Sequence, residues 1–456
     1  MVDLGAPLDF ESEDLLLDPP PSTKKRKKII GLDDLLADFY KEKSRNVEKE
    51  AKLVKKPKKY NSDDEENTKE ACLSKLVNEC VVQIKEIGGE EDIPAWGVPL
   101  FGEQKTPPPL ISPELERCNL LKSFMNNELN SLVDLSSENG GTFLEGLLVS
   151  GWLSRLVLKC GHAEESIASW TLYLMLYSSK EELRTSACDF WGAILPSKEE
   201  ISKKSSTRIE WFPSYSELRN ALEVYGFHSL PNEGADNANS GCGGPAQNIR
   251  CWIKFVTAVC QMRSKWSMFS TSEAEELVEV IISLFLDRLL QGLSLLLYDC
   301  MESVISYFTD EEWKTSCDKI AKSLAGRVPI DFNCIRMVEC ISGVGIRSKL
   351  LRSAVAHQIL LSCLDHKAAD EEILRALISI NLKEKSCDLF MMYIYLVMAE
   401  NWLLSIPLLE DKPVLKEMWG LYLRNCSCLI SSTDLRSFAS KVRNKASFLL
   451  QGATKI

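Results

Sequence analysis

The chain carries four histidines and sixteen cysteines, the residue types that most often hold metals or act as nucleophiles. Their spacing argues against both uses. A structural zinc site draws ligands from pairs such as Cys-x-x-Cys, because two short side chains must reach one ion at about 2.3 Å. No Cys-x-x-Cys occurs, and the nearest approach is Cys426-x-Cys428. That pair lies in a helical pattern, where residues i and i+2 face different ways. His357, Cys363 and His366 are close in sequence, but a helix does not bring all three to one face. They read as partly buried cysteine and solvent-facing histidine. Cys242 and Cys251 flank a glycine-rich loop without metal spacing. Phosphate cradles fail in the same way. Gly241-Cys242-Gly243-Gly244-Pro245 lacks the following Lys-Ser/Thr and the preceding strand that a Walker loop needs. Gly343-Val344-Gly345 lacks a third glycine, Gly140, Gly141, Gly146 and Gly151 fall in a helical pattern, and no Gly-x-Ser-x-Gly elbow is present. The expectation is therefore no catalytic residue, no metal and no cofactor. An enzyme would have to use His162, His357 or His366.

Charge says more than nucleophiles do. Lys24-Lys25-Arg26-Lys27-Lys28 and Lys55-Lys56-Pro57-Lys58-Lys59 are two basic clusters in a chain of net charge −11. Such runs read as nuclear-import signals or nucleic-acid patches. Acidic flanks favour import, with DNA contact as a second use and solubilising charge as the plain alternative. Ser62 precedes Asp63-Asp64-Glu65-Glu66, the setting an acid-directed kinase favours; a phosphate there would add negative charge beside the second cluster.

The elements that would position these groups fall into two parts. Residues 1–70 contain no Trp and only four aromatics, and their charge comes in blocks. Blocked charge with little apolar surface cannot offset chain entropy, so 1–70 is expected to be a disordered arm. Within it, Leu32, Leu35, Leu36 and Phe39 recur at helical spacing over 29–40, opposite an acidic face. This pattern suits an amphipathic helix that docks on a partner, or one that packs back on its own chain. Residues 71–456 are expected to be all-α, an irregular HEAT-like helical-repeat or solenoid body without a fixed sequence period. Helices are expected over 70–87, 141–160, 163–178, 180–195, 214–226, 246–263, 272–308, 311–325, 333–341, 346–364, 371–380, 386–404, 412–428 and 432–450. In the second of these, Leu144, Leu148, Trp152 and Leu156 recur at steps of four; in the last, Leu435, Phe438, Ala439, Val442, Ala446 and Leu449 share a face. A Pro-rich connector (93–113) and a flexible loop (229–247) interrupt the pattern. The cysteines, scattered singly through apolar stretches (Cys160, Cys188, Cys260, Cys300, Cys340, Cys363), read as small core hydrophobes in a reducing compartment. No signal peptide and no membrane span is expected.

Three stretches carry a resemblance. Ile93-Pro94-Ala95-Trp96-Gly97-Val98-Pro99-Leu100-Phe101-Gly102, Phe143 to Leu153, and Ser169 to Ser178 followed by Ala187-Cys188-Asp189-Phe190-Trp191 resemble the opening of the CANIN domain. That domain's name refers to interaction with coiled-coil Smc-six and Nse-five. The resemblance implies a non-enzymatic nuclear scaffold of the Smc five–six complex, acting in loading, ATPase regulation and DNA-damage repair. The implied partners are an Nse-five-type (SNI-like) subunit and the Smc coiled-coil/ATPase subunits. DNA would be met only indirectly, or weakly through the basic arm, since residues 71–456 sum to −9 once the arm's −2 is taken from −11. The alternative is a helical-repeat adaptor in another nuclear pathway, such as transcriptional control or transport.

Overall fold

Apolar side chains at three- and four-residue steps, broken by glycine, proline or a capping acid, divide this chain into short helices. The computed structural model describes residues 96–113, 118–120, 137–195, 207–229, 244–263, 266–364, 369–406 and 408–453. The chain divides into two units, Met1–Gly89 and Glu90–Ile456, and every described residue belongs to the second. The arm 1–70, the segment 29–40, the helix expected over 70–87 and the boundary at 70/71 lie outside the described residues.

Among the described residues sixteen α-helices follow one another. They are α1 Ser137–Val149, α2 Trp152–Cys160, α3 Glu165–Tyr177, α4 Glu181–Ile194, α5 Tyr215–Val224, α6 Ile249–Cys260, α7 Thr271–Phe285 and α8 Ser294–Tyr307. Then come α9 Asp310–Ala325, α10 Phe332–Cys340, α11 Ile346–Cys363, α12 Asp370–Ser379, α13 Leu389–Leu404, α14 Leu408–Asp411, α15 Pro413–Cys428 and α16 Ala439–Ala453. The only strands among the described residues are β1 His162–Ala163 and β2 Arg208–Ile209, two residues each and parallel, with His162 opposite Arg208. The body is all-α, as expected. Helices pack mainly on those nearby in the chain: α4 on α6, α6 on α8, α7 on α9, α9 on α11 and α11 on α13. Contact that stays local along the chain is the habit of helical-repeat arrays. One hydrophobic core runs through them, from Leu100 to Leu449.

Three expected helices differ from the structure. The helix expected over 141–160 breaks at Gly151, whose φ of +75° is left-handed, and the halves α1 and α2 meet at 86°. Leu144 and Leu148 are buried as their spacing requires, but beyond the break Trp152 is 54% exposed. The helix expected over 272–308 becomes α7, a 3-10 turn at Arg288–Leu293 and α8, with the two arms bent by 105°. Asp287 makes that bend, its Oδ1 accepting from Leu289 N at 2.8 Å. The helix expected over 432–450 begins only at Ala439, because Asp434 holds a turn by accepting from Arg436 N at 3.0 Å. Leu435, expected on the buried face, is 98% exposed, while Phe438, Ala439, Val442, Ala446 and Leu449 are buried.

Residues 96–113 of the Pro-rich connector form no helix, and the first ten of them, a strap, are tied to the body. Trp96 lies between the guanidinium groups of Arg288 and Arg336, each 5.2 Å from the ring centre. Gly97 N donates to Asn333 Oδ1 (2.6 Å), Val98 N to Leu286 O (2.9 Å) and Leu100 N to Asp287 Oδ2 (3.2 Å). Further on, Gly102 N donates to Gly226 O and His228 N to Leu100 O, both at 2.8 Å, around an antiparallel bridge of Phe101 with Phe227. Gly226, at φ +82°, is required here: a Cβ on it would stand 2.8 Å from the carbonyl oxygens of Gly102 and Glu103 in this strap, residues 96–105. Of the loop expected at 229–247, residues 230–243 lie outside the described residues.

No disulfide joins any two of the thirteen described cysteines, and nine of them are buried. Cys160, expected in the core, is exposed, because it ends α2 beside the left-handed Gly161.

Candidate functional site

Four helices and a short turn of helix leave an open apolar groove in the C-terminal third. α13 is apolar almost all round, and its central residues Ile394, Leu396, Met398 and Ala399 are buried, as such a helix must be. Its end carries the pattern outward: Leu403 is buried and Leu404 is 47% exposed. Ser405 ends α13, α14 is only four residues long, and Pro413 opens α15 at a first-turn position where its missing N–H costs nothing. α15 then packs on α16.

The space between these ends and the start of α11 has a volume of about 740 Å³. That is the range in which ligand and side-chain pockets fall. Leu403, Trp419 and Leu449 are buried and form its floor, with Leu409 half-buried beside them. Gly420 and Gly452 keep two helix surfaces low where side chains would otherwise fill the groove. On the rim stand Ile346 and Phe448, 77% and 73% exposed. Lys349, Lys416 and Glu410 are the charged residues at the edge, and none of them is ion-paired among the described residues. Nearby charges are already satisfied: Lys445 Nζ lies 2.6 Å from Glu400 and Lys412 Nζ 2.7 Å from Asp370. Large apolar side chains held against water beside unpaired charges are the mark of an interaction surface.

The histidines are placed differently from expectation. His357, expected to face solvent, is half-buried with its ring 4.9 Å from that of Trp402. Its Nε2 is 3.7 Å from Asp370 Oδ1, an ion-pair separation too long for a hydrogen bond, and has no hydrogen-bond partner. Burial pushes the His357 pKa down, and Lys412 adds to this, while Asp370 and Asp318 oppose it. Cys363 is half-buried, and His366 lies outside the described residues. His162 Nε2 is 2.8 Å from Glu210 Oε1, and this hydrogen bond holds the Glu210 carboxyl below its usual range. Neither arrangement is the nucleophile–base pairing that covalent catalysis uses. Among the described residues no group of three His, Cys, Asp or Glu side chains could hold a metal ion. Among them, too, no single helix is long and apolar enough to cross a membrane.

No family model matches the chain, and no curated protein matches it. The proposed docking residues Leu32, Leu35, Leu36 and Phe39 lie outside the described residues, as do Lys24, Lys25, Arg26, Lys27, Lys28, Lys55, Lys56, Lys58, Lys59 and Ser62. The groove was missed in the sequence, although one signal pointed to it. Phe448 is a large apolar residue out of phase with the face of Val442, Ala446 and Leu449. An apolar residue off the buried stripe of an amphipathic helix either meets another element or waits for one.

Proposed function

We propose that this chain is a non-enzymatic nuclear scaffold, a regulatory or loading subunit of the Smc five–six complex, working through protein–protein contacts. The observation that carries the binding role is the open groove under Phe448 and Ile346. Its occupant is an amphipathic helix of the Nse-five-type (SNI-like) subunit. A groove built from helix ends accepts a helix laid with its apolar face inward. The edge carries two lysines against one glutamate, so the flank of that helix facing Lys349 and Lys416 is acidic. The choice of complex rests on the resemblance of 93–102, 143–153 and 169–191 to the CANIN domain. In this reading the plant Nse-six-type subunit that associates with the SNI protein is a counterpart. Contact with the Smc ATPase subunits, control of their loading on DNA and a part in repair follow from that placement.

The test is co-expression of the full chain with the Nse-five-type subunit. Phe448→Glu combined with Ile346→Glu should cut capture at least tenfold, the effect of about 1.4 kcal/mol. Because both side chains are already largely in water, the melting temperature of the chain alone should not move. Undiminished capture by the double variant would exclude the groove.

A further inference from the structure

We infer that Gly420 and Gly452 are the specificity-determining positions of the apolar groove: each leaves room for one large apolar side chain of the docked helix, and Arg424 meets that helix's acidic flank. This rests on the groove being the partner-binding surface, and it names the residues that choose the occupant.

Glycine is the poorest ordinary residue for a helix interior, so a helical glycine calls for a cause. The fold supplies none at these two positions. Gly420 lies in the middle of α15 and Gly452 in the last turn of α16. Neither has the positive φ that makes Gly151, Gly161 and Gly226 necessary. Crowding is absent too. A Cβ on Gly452 would meet nothing within 4 Å. One on Gly420 would meet only the guanidinium of Arg424, at 3.7 and 4.0 Å, which is ordinary contact with the movable end of a long side chain. What the two glycines share is the groove, which both of them line.

Their neighbours give each gap its chemistry. On α15 the row Lys416, Gly420, Arg424 runs at steps of four, so the gap at Gly420 has a cation one turn to either side. On α16 the exposed Phe448 is followed one turn later by the gap at Gly452. Trp419 and Leu449, beside these rows, are buried in the floor. Both walls therefore offer large side chains next to empty positions, the relief into which the ridges of another helix fit. A flat membrane surface does not reach a recessed floor. Lys349, Lys416 and Arg424 face a single carboxylate, Glu410, and none of the four is ion-paired among the described residues. The occupant is thus an amphipathic helix with bulky apolar residues on one face and carboxylates along its flank.

The experiment compares full-length Gly420→Ala, Gly420→Leu, Gly452→Ala and Gly452→Leu, each co-expressed with the Nse-five-type subunit. Gly146→Ala is the control: Gly146 is inside α1, has nothing within 4 Å of its Cβ position and does not line the groove. Capture should fall severalfold in the alanine variants and at least tenfold in the leucine variants, and stay unchanged in Gly146→Ala. The melting temperature of the chain alone should hold or rise, by about 2 °C for Gly420→Ala, because alanine and leucine are better helix formers. Loss of binding with gain of stability is the signature of a glycine kept for a ligand. Full capture by both leucine variants would overturn the assignment. If Phe448→Glu with Ile346→Glu still abolishes capture in that case, the groove remains the binding surface and only the glycine roles fall. Capture that survives the double variant, or is absent from the natural chain, removes the groove reading and this inference with it. A lower melting temperature in the alanine variants would also overturn it, since the fold itself would then need the glycines. So would light scattering that shows the chain alone as a dimer and Gly420→Leu as a monomer, which would give the groove to a second copy.

Discussion

At the scale of single residues, His357 is where the structure departs most from what its type suggests. A histidine near an aspartate ordinarily gains a proton; here the ring is packed on Trp402 and burial outweighs Asp370 and Asp318. The folded-state pKa is depressed below 6.5, so the folded chain refuses a proton that the unfolded chain accepts. The stability this lends is complete above the unfolded value and is lost as pH falls from there through the folded pKa. Urea unfolding of the natural chain and of His357→Gln at about pH 7.5, 6.5 and 5.5 should show the gap between them shifting in favour of the variant as pH falls. A gap independent of pH would mean that burial does not govern this ring. None of this was legible in the sequence. The spacing of His357, Cys363 and His366 carried no information about Trp402, forty-five positions further on.

At the scale of elements, hydrophobic period revealed the helices and missed the breaks. α3, α4, α9, α11 and α12 begin and end within two residues of expectation, because each carries an unbroken apolar stripe between polar ends. The bend after α7 is different: nothing in Leu277 to Tyr298 looks like a stop. Asp287 supplies it through two bonds at once, one capping the 3-10 turn and one reaching Leu100 in the strap, 187 positions away. A tertiary partner of that kind is invisible to local pattern. Asp287 is buried, so Asp287→Ala removes the acceptor from the buried Leu100 amide and from the partly buried Leu289 amide. Hydrogen bonds to a charged group are worth about 1.5–3 kcal/mol each, so the loss should reach roughly 3 kcal/mol in denaturant unfolding. Asp287→Asn keeps one acceptor oxygen and should lose about half as much. Limited proteolysis should open the strap at Lys105 in the alanine variant before any other site. If unfolding is unchanged in Asp287→Ala, the strap is held without Asp287, by Trp96 and the hydrogen bonds of Gly97, Val98 and Gly102.

At the scale of the whole chain the relevant quantity is how charge is divided. The net −11 is an acidic −9 over residues 71–456 and a near-balanced arm, and the arm gathers nine Lys and Arg into two clusters. A net-acidic body repels phosphate, so contact with duplex DNA is expected chiefly from those two clusters and releases counterions as it forms. Affinity of the full chain for duplex DNA should therefore be weak, in the non-specific range of about 10⁻⁴–10⁻⁶ M at physiological salt, and should fall linearly on a log–log plot against salt concentration. Replacing Lys24, Lys25, Arg26, Lys27, Lys28, Lys55, Lys56, Lys58 and Lys59 with alanine should remove both the binding and the slope, and should also abolish nuclear accumulation of the tagged chain. The groove residues Phe448, Ile346 and Trp419 are apolar, so a helix captured there as proposed would be held chiefly by burial and not by these charges. Capture of the partner helix by the nine-alanine chain should thus survive at salt concentrations that erase DNA binding. Retention of a steep salt slope after the nine replacements would place a phosphate-binding face on the acidic body itself.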